Sequence, residues 1–278
     1  MKNLELKQKL KEGDLVLGTL IVSTSPFWPK ILKDCSLDFI FIDTEHIAIS
    51  RETLSWMCRT YSAMGLPPLV RLKSPDKYIA TEFLDDGAAG IISPYTETFT
   101  QVKELVGYTK KRPLKGDKLN QLMAGTKNLD ESLDDYIHKF NGDNLLVLNI
   151  ESEPAVENLD KILEIEGIDA IQIGPHDLTT SLGIPEEYDN PIYLNTIEMV
   201  FKKARSKSVG AGIHAWGSPE YQKRLLDLGA NMLIHKADAF FFRDGLENDL
   251  NEIRSLVGEN NVGLNKRMTH CPKHQNTR

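Results

Sequence analysis

The chain reads as an α/β protein built on a closed (β/α)8 barrel, and three observations carry that expectation. Eight short apolar runs rich in β-branched residues recur along its 278 residues. Most of the gaps between them hold a stretch with helical spacing. The runs are apolar throughout instead of alternating, which suits strands of a parallel sheet buried on both faces. A doubly wound open sheet would share these features, but no G-x-G-x-x-G follows the first run.

Taken in order, the first two strands are "LVLGTLI" (15–21) and "FIFIDT" (39–44). The helix after them, "SRETLSWMCRTYSAMG", opens on Ser50 as N-cap and closes on Gly65. "PPLVRL" (67–72) and "GIISP" (90–94) are the third and fourth strands. About fifty residues then precede "LLVLNIE" (145–151). That gap is long for a simple crossover, so a loop at about 112–143 is expected, of the kind that often serves an active site. "AIQIG" (170–174), "GAGIH" (210–214) and "NMLIHK" (231–236) complete the set. "EPAVENLDKILEIEG" and "SPEYQKRLLDLG" are helices closing on glycine. One barrel domain is expected over 1–257, followed by a loose polar tail at 258–278. The tail's "THCPKH" offers adventitious metal ligands, with a disordered end the simpler reading.

Composition narrows the partners. Net charge is −7 without a long basic block, which argues against nucleic acid. No apolar run approaches the roughly 18–20 residues that span a bilayer. The N-terminus lacks the apolar region of a signal peptide, so a cytoplasmic protein is expected. Cys35, Cys58 and Cys271 are odd in number and far apart, which implies no disulfide framework; core packing is expected for the first two.

In a barrel of this kind the chemistry sits at the C-terminal ends of the strands. Asp43, Glu45 and His46 leave the second strand, and Arg71 and Lys73 the third. Asn149 and Glu151 end the fifth, His176 and Asp177 follow the sixth, and His214, His235 and Lys236 end the last two. Glu151 and Asp177 leave successive strands, so their carboxylates are expected side by side. Such a pair suits a hard divalent cation that keeps several waters, Mg²⁺ or Mn²⁺, although two solvated rim acids would look the same. Arg71 closes an apolar strand and must meet a bound anion or a barrel acid. His46 carries an imidazole, which can move a proton. Asp85, in "FLDDGAAG", reads alone as a surface acid near a helix end.

Together "DFIFIDTEH", "LVRL", "EFLDDGAAGIISPYTET", "NIESEPAVENLDKI" and "IDAIQIGPHDLTTSLG" resemble the HpcH/HpaI aldolase/citrate lyase family, from about Gly18 to about Ala237. The resemblance implies a barrel of the phosphoenolpyruvate/pyruvate type and a metal-dependent aldolase. Such an enzyme cleaves 4-hydroxy-2-oxo acids to pyruvate, or a related 2-oxo acid, and an aldehyde. It implies Glu151 and Asp177 as ligands of Mg²⁺, Mn²⁺ or Co²⁺, and Arg71 as the arginine on the keto-acid oxygen. It also implies His46 with Asp85 as an acid–base dyad, supported by Asp43, and Gly174 and Pro175 as the backbone behind the pyruvate carboxylate. A homo-oligomer, hexameric or otherwise, is implied as well, with the last helix exchanged between neighbours or packed on its own barrel. Four positions depart from the family pattern: Lys30 for an acid, Asn149 for a glutamine, "PLKGDK" for a tighter loop, and His176 where small residues are usual. Asn149 and His176 are therefore candidate substrate contacts. Three rivals stay open: a CoA-thioester lyase of the citrate lyase branch, a Schiff-base aldolase using Lys73 or Lys236, and a 2-oxo-acid-binding protein without catalysis.

Overall fold

Residues 2–256 are described by the structure, a computed structural model. Eight strands close into a barrel in sequence order: β1 (Val16–Leu20), β2 (Phe39–Asp43), β3 (Pro68–Arg71), β4 (Gly90–Ser93), β5 (Leu145–Ile150), β6 (Ala170–Ile173), β7 (Gly210–Ala215) and β8 (Met232–Ala237). Every neighbouring pair is parallel, β8 on β1 included. The helices are α1 (Asn3–Glu12), α2 (Trp28–Leu32), α3 (Arg51–Ala63), α4 (Lys77–Asp85), α5 (Phe99–Lys110), α6 (Gly116–Met123), α7 (Glu131–Asn141), α8 (Glu153–Glu157), α9 (Leu159–Ile162), α10 (Pro175–Ser181), α11 (Pro191–Ser206), α12 (Pro219–Asp227) and α13 (Asp238–Leu256). Strand bounds fall within a residue or two of the apolar runs. Ser50 caps α3 by accepting from the Thr53 amide, and Gly65 beyond its end has φ 77°.

Two apolar masses hold the barrel. One fills the space between strands and outer helices, with Tyr61, Ile91, Leu146, Ile171 and Phe201 fully buried. The other fills the interior, with Val16, Phe39, Phe41, Leu69, Leu145, Val147, Ala170 and Met232. Because side chains alternate along a strand, every second residue points inward. At Gly18 a Cβ would lie 2.5 Å from the Phe39 ring, so the missing side chain makes room for that ring. The charged N-terminal stretch contributes more than its composition suggests. Leu6 and Leu10, one helical turn apart on α1, are fully buried in the interior mass. A Cβ on Gly210, at the start of β7, would meet Leu10, so α1 plugs the N-terminal end of the barrel.

Several expectations are corrected. The stretch at 112–143 folds into α6 and α7, and both pack on α5. It joins the end of α5 to the start of β5, so both its ends lie away from the mouth. "EPAVENLDKILEIEG" breaks at Asn158 into α8 and α9. Cys58 is buried, but Cys35 is exposed. α13 packs on its own barrel at its start, where Asp238 is buried and Phe240 lies against the interior mass, while Phe242, Ile253 and Leu256 further along stand mostly exposed. Cys271 and "THCPKH" lie outside the described residues. No helix among the described residues is long and apolar enough to cross a membrane.

Candidate active site

Along four of the strands the inward positions change from apolar at the bottom to polar at the top. Phe39 and Phe41 lead to Asp43 on β2, Leu69 to Arg71 on β3, Leu145 and Val147 to Asn149 on β5, and Ala170 to Gln172 on β6. Register sets these residues beside one another, Asp43 opposite Arg71 and Asn149 opposite Gln172. The same two-residue period carries Glu151 and Gly174 to the next layer, at the mouth.

Arg71 is nearly buried and committed to acids. Its Nε lies 2.9 Å from Asp43 Oδ1 and 3.2 Å from Glu45 Oε2, and Nη2 lies 2.5 Å from Asp43 Oδ2. The guanidinium also sits 5.4 Å above the Phe41 ring. Burial alone would raise the Asp43 carboxyl. The hydrogen bond and charge of Arg71, with the Glu45 amide, outweigh it and hold the group below the ordinary aspartate range. Glu45 goes the other way: burial raises it, and Arg71 and His46 only partly oppose that. A fork clamped by two acids is a rigid cation, and the ion pair expected for Arg71 is compatible with an anion site above it.

Glu151 is buried, accepting from the Tyr95 amide at 2.6 Å and from Asn149 Nδ2 at 3.0 Å. Burial, reinforced by the charge of Asp177, pushes its pKa up to about 7 despite that amide and Arg71. Gly174 also makes way for its neighbour at the end of β5. A Cβ there would lie 2.6 Å from Glu151 Oε2, so the glycine makes room for the glutamate. Pro175 then starts α10, with Asp177 in its first turn.

Two further acceptors sit just beneath. Asn149 Oδ1 and Gln172 Oε1 are buried and without a partner among the described residues. Buried polar atoms are normally satisfied, so this layer suits a water or ligand donor. No group of three or more His, Cys, Asp or Glu side chains suited to a metal occurs among the described residues. A cation here would therefore have two carboxylates, and would complete its shell with water or substrate oxygens. An all-oxygen, half-open set of this kind fits a hard divalent ion.

The remaining candidates divide. His46 is half exposed, with Nε2 3.8 Å from Glu45 Oε2 and its amide on Asp43. Asp85 is not beside it. It ends α4 on the outer ring, five residues before β4 begins, and pairs with Arg112 just past α5. Helix C-termini lie at the end of the barrel opposite the mouth, so a single chain does not assemble the dyad. His176 is exposed at the rim, 3.7 Å from Glu186. Lys30 is exposed on α2, 5.7 Å from the Phe27 ring. Of the Schiff-base candidates, Lys236 bonds Asp244 at 3.2 Å and Lys73 is exposed. His214 faces inward on β7 with Nε2 3.1 Å from the Lys236 carbonyl; burial pushes it down to about 4, so it is neutral. Gln172 and Tyr95 were missed: Gln172 reads as one polar residue in an apolar strand, and Tyr95 adopts a backbone conformation that its residue type does not announce.

With this geometry established, likeness to known proteins becomes specific. Residues 20–236 match the model of the HpcH/HpaI aldolase/citrate lyase family. The 2-keto-3-deoxy-L-rhamnonate aldolase of Salmonella gallinarum is 30% identical over 250 residues, 90% of this chain and 93% of its own. The crystal structure of an HpcH/HpaI aldolase from Desulfitobacterium hafniense aligns with a TM-score of 0.77 at 25% identity, covering 90% of this chain and 96% of its own. The citrate synthase SbnG aligns with a TM-score of 0.77 at 26% identity, covering 91% of this chain and 99% of its own.

Proposed function

The chain belongs to the HpcH/HpaI aldolase/citrate lyase family and is a carbon–carbon lyase of the aldolase type; from that premise we propose how it works. The substrate is a 4-hydroxy-2-oxo acid, cleaved to or formed from pyruvate (or a related 2-oxo acid) and an aldehyde, in the cytoplasm. The observation that supports this reading is the set of groups at the mouth: Glu151 buried and held by the Tyr95 amide and Asn149, Asp177 in the first turn of α10, and Arg71 fixed by Asp43 and Glu45.

Glu151 and Asp177 would hold Mg²⁺, Mn²⁺ or Co²⁺, which when bound supplies Lewis-acid polarisation of the 2-oxo acid. Breaking the C3–C4 bond leaves an electron pair that spreads onto the C2 oxygen as an enolate. Arg71, already fixed by Asp43 and Glu45, presents its guanidinium to that oxygen without having to reorganise. His46 takes the C4 hydroxyl proton as the aldehyde carbonyl forms, and Glu45 stabilises the resulting imidazolium. Gly174 and Pro175 form the wall against which the substrate carboxylate lies. Asn149 orients Glu151, and His176 stands at the rim where the aldehyde half would pass.

Assembly belongs to the same proposal. Asp85 would meet His46 only between copies, and the exposed apolar side of α13 gives the chain a surface for self-association as a homo-oligomer. The test is to assay the purified, metal-loaded protein for pyruvate release from 4-hydroxy-2-oxo acids of varied length and charge. Release that EDTA abolishes is expected. Release that survives EDTA, with borohydride trapping of pyruvate on a lysine, would transfer the chemistry to Lys73 or Lys236. No release from any substrate, with pyruvate still bound, refutes the aldolase reading.

A further inference from the structure

Beneath Glu151 two amide oxygens face the barrel interior with no donor from the described residues. Leu148 and Ile150 on β5, and Ile171 and Ile173 on β6, face the outer helices, so Asn149 and Gln172 point inward. The two are register partners, 0% and 1% exposed. Asn149 Oδ1 and Gln172 Oε1 both lack a hydrogen bond among the described residues. The flanking strands do not help. Ile92 is the last inward residue of β4, and Gly212, opposite Gln172 on β7, has no side chain. Asn149 cannot turn over to relieve its oxygen, because its Nδ2 donates to Glu151 Oε2 at 3.0 Å.

One bare buried acceptor destabilises a fold, and two in register suit a group that brings two donors. An ordinary internal water makes about three bonds, accepting as well as donating, and these strands offer it nothing to accept. A water on a cation differs. Its lone pair goes to the ion, and both O–H bonds point away as donors strengthened by the charge.

We propose that Gln172 is a positioning residue for the cation: with Asn149 it accepts both hydrogens of one water on the ion that Glu151 and Asp177 hold. This rests on the metal-dependent reading above. The amide pair steadies the ion through its water and leaves other open positions to substrate oxygens. A hard ion that keeps several waters, such as Mg²⁺, suits this arrangement. The competing arrangement is a direct bond, in which a turned-over Gln172 amide donates to Asn149 Oδ1 and serves the fold alone.

The experiment titrates Mg²⁺ alone into the metal-free full chain by calorimetry, for the wild type, Q172M and Q172E, and records thermal unfolding of each metal-free protein. Methionine fills similar space without a strong acceptor, and glutamate keeps one. Q172M is expected to bind Mg²⁺ about tenfold more weakly, the scale of a lost outer-shell partner, and to melt no lower than the wild type. Q172E is expected to keep at least the wild-type affinity. Unchanged affinity in Q172M, or an equal loss in both variants, overturns the assignment. A metal-free Q172M that melts below the wild type also overturns it and marks the direct bond. In each of these cases, wild-type Mg²⁺ binding with EDTA-sensitive pyruvate release leaves the aldolase reading standing. A wild type that binds no Mg²⁺ and releases no pyruvate overturns both.

Discussion

At the scale of single residues, the site depends on charges held where they cannot relax. Arg71 is positioned before any substrate arrives, so its removal should act on rate more than on binding. R71A is expected to lower kcat by about 10²–10³, the usual loss of one preorganised electrostatic contact. R71K should not restore it, because an ammonium cannot reproduce the fork on Asp43. Steady-state kinetics on a responsive 4-hydroxy-2-oxo acid checks both variants. Glu151 makes a different prediction. With a pKa of about 7 it holds a proton that a cation must displace, so apparent Mg²⁺ affinity should fall as pH drops below about 7. Titration calorimetry across pH 5.5–8 measures it, and affinity independent of pH would contradict the proposed ligand. Stability runs in the opposite sense. Between an ordinary glutamate pKa near 4.5 and about 7, the folded chain keeps a proton that the unfolded chain releases. This group's contribution is therefore full at low pH and declines as pH rises through that window.

Among the elements, α3 and α13 are opposite cases. α3 is specified locally: Ser50 caps it, Gly65 follows its end, and Leu54, Met57, Cys58 and Tyr61 share its buried side. S50A should cost about 1 kcal/mol in chemical denaturation, the usual worth of such a cap, and leave kinetics unaltered. α13 carries an apolar side that its own barrel does not cover, with Phe242 66% and Ile253 55% exposed. If that side is a self-association surface, F242D should shift the sedimentation equilibrium towards smaller species. The same molecular mass for both proteins would show that the helix has another role. Ser50 and Gly65 are legible in the sequence because caps depend on nearest neighbours. The destination of α13 is not, since helical spacing marks an apolar face without naming what covers it.

For the whole molecule, the barrel needs its bottom closed. Leu6 and Leu10 fill that end, and Arg205 ties α1 down by donating to the Leu10 carbonyl at 2.7 Å. L10A should cost roughly 2–5 kcal/mol in a denaturant titration, the range for a buried leucine truncation. It should leave kcat/KM unchanged, because the mouth lies at the other end of the strands. Loss of activity without loss of stability would mean that the two ends are coupled.

The sequence by itself determined the repeat of eight strands, the parallel barrel and the polar end of its strands. Strand bounds, Asp43, Arg71, Glu151 and Asp177 were readable because apolar runs and polar strand ends are local, one-dimensional signals. Tertiary structure decided what depends on contacts between distant residues. Gly174 is small because Glu151 packs on it, Asp85 is removed from His46 by the length of α4, and Leu6 and Leu10 become a plug. The turn at Tyr95 belongs to this second class, since only the fold brings a backbone amide 56 residues away onto a buried glutamate.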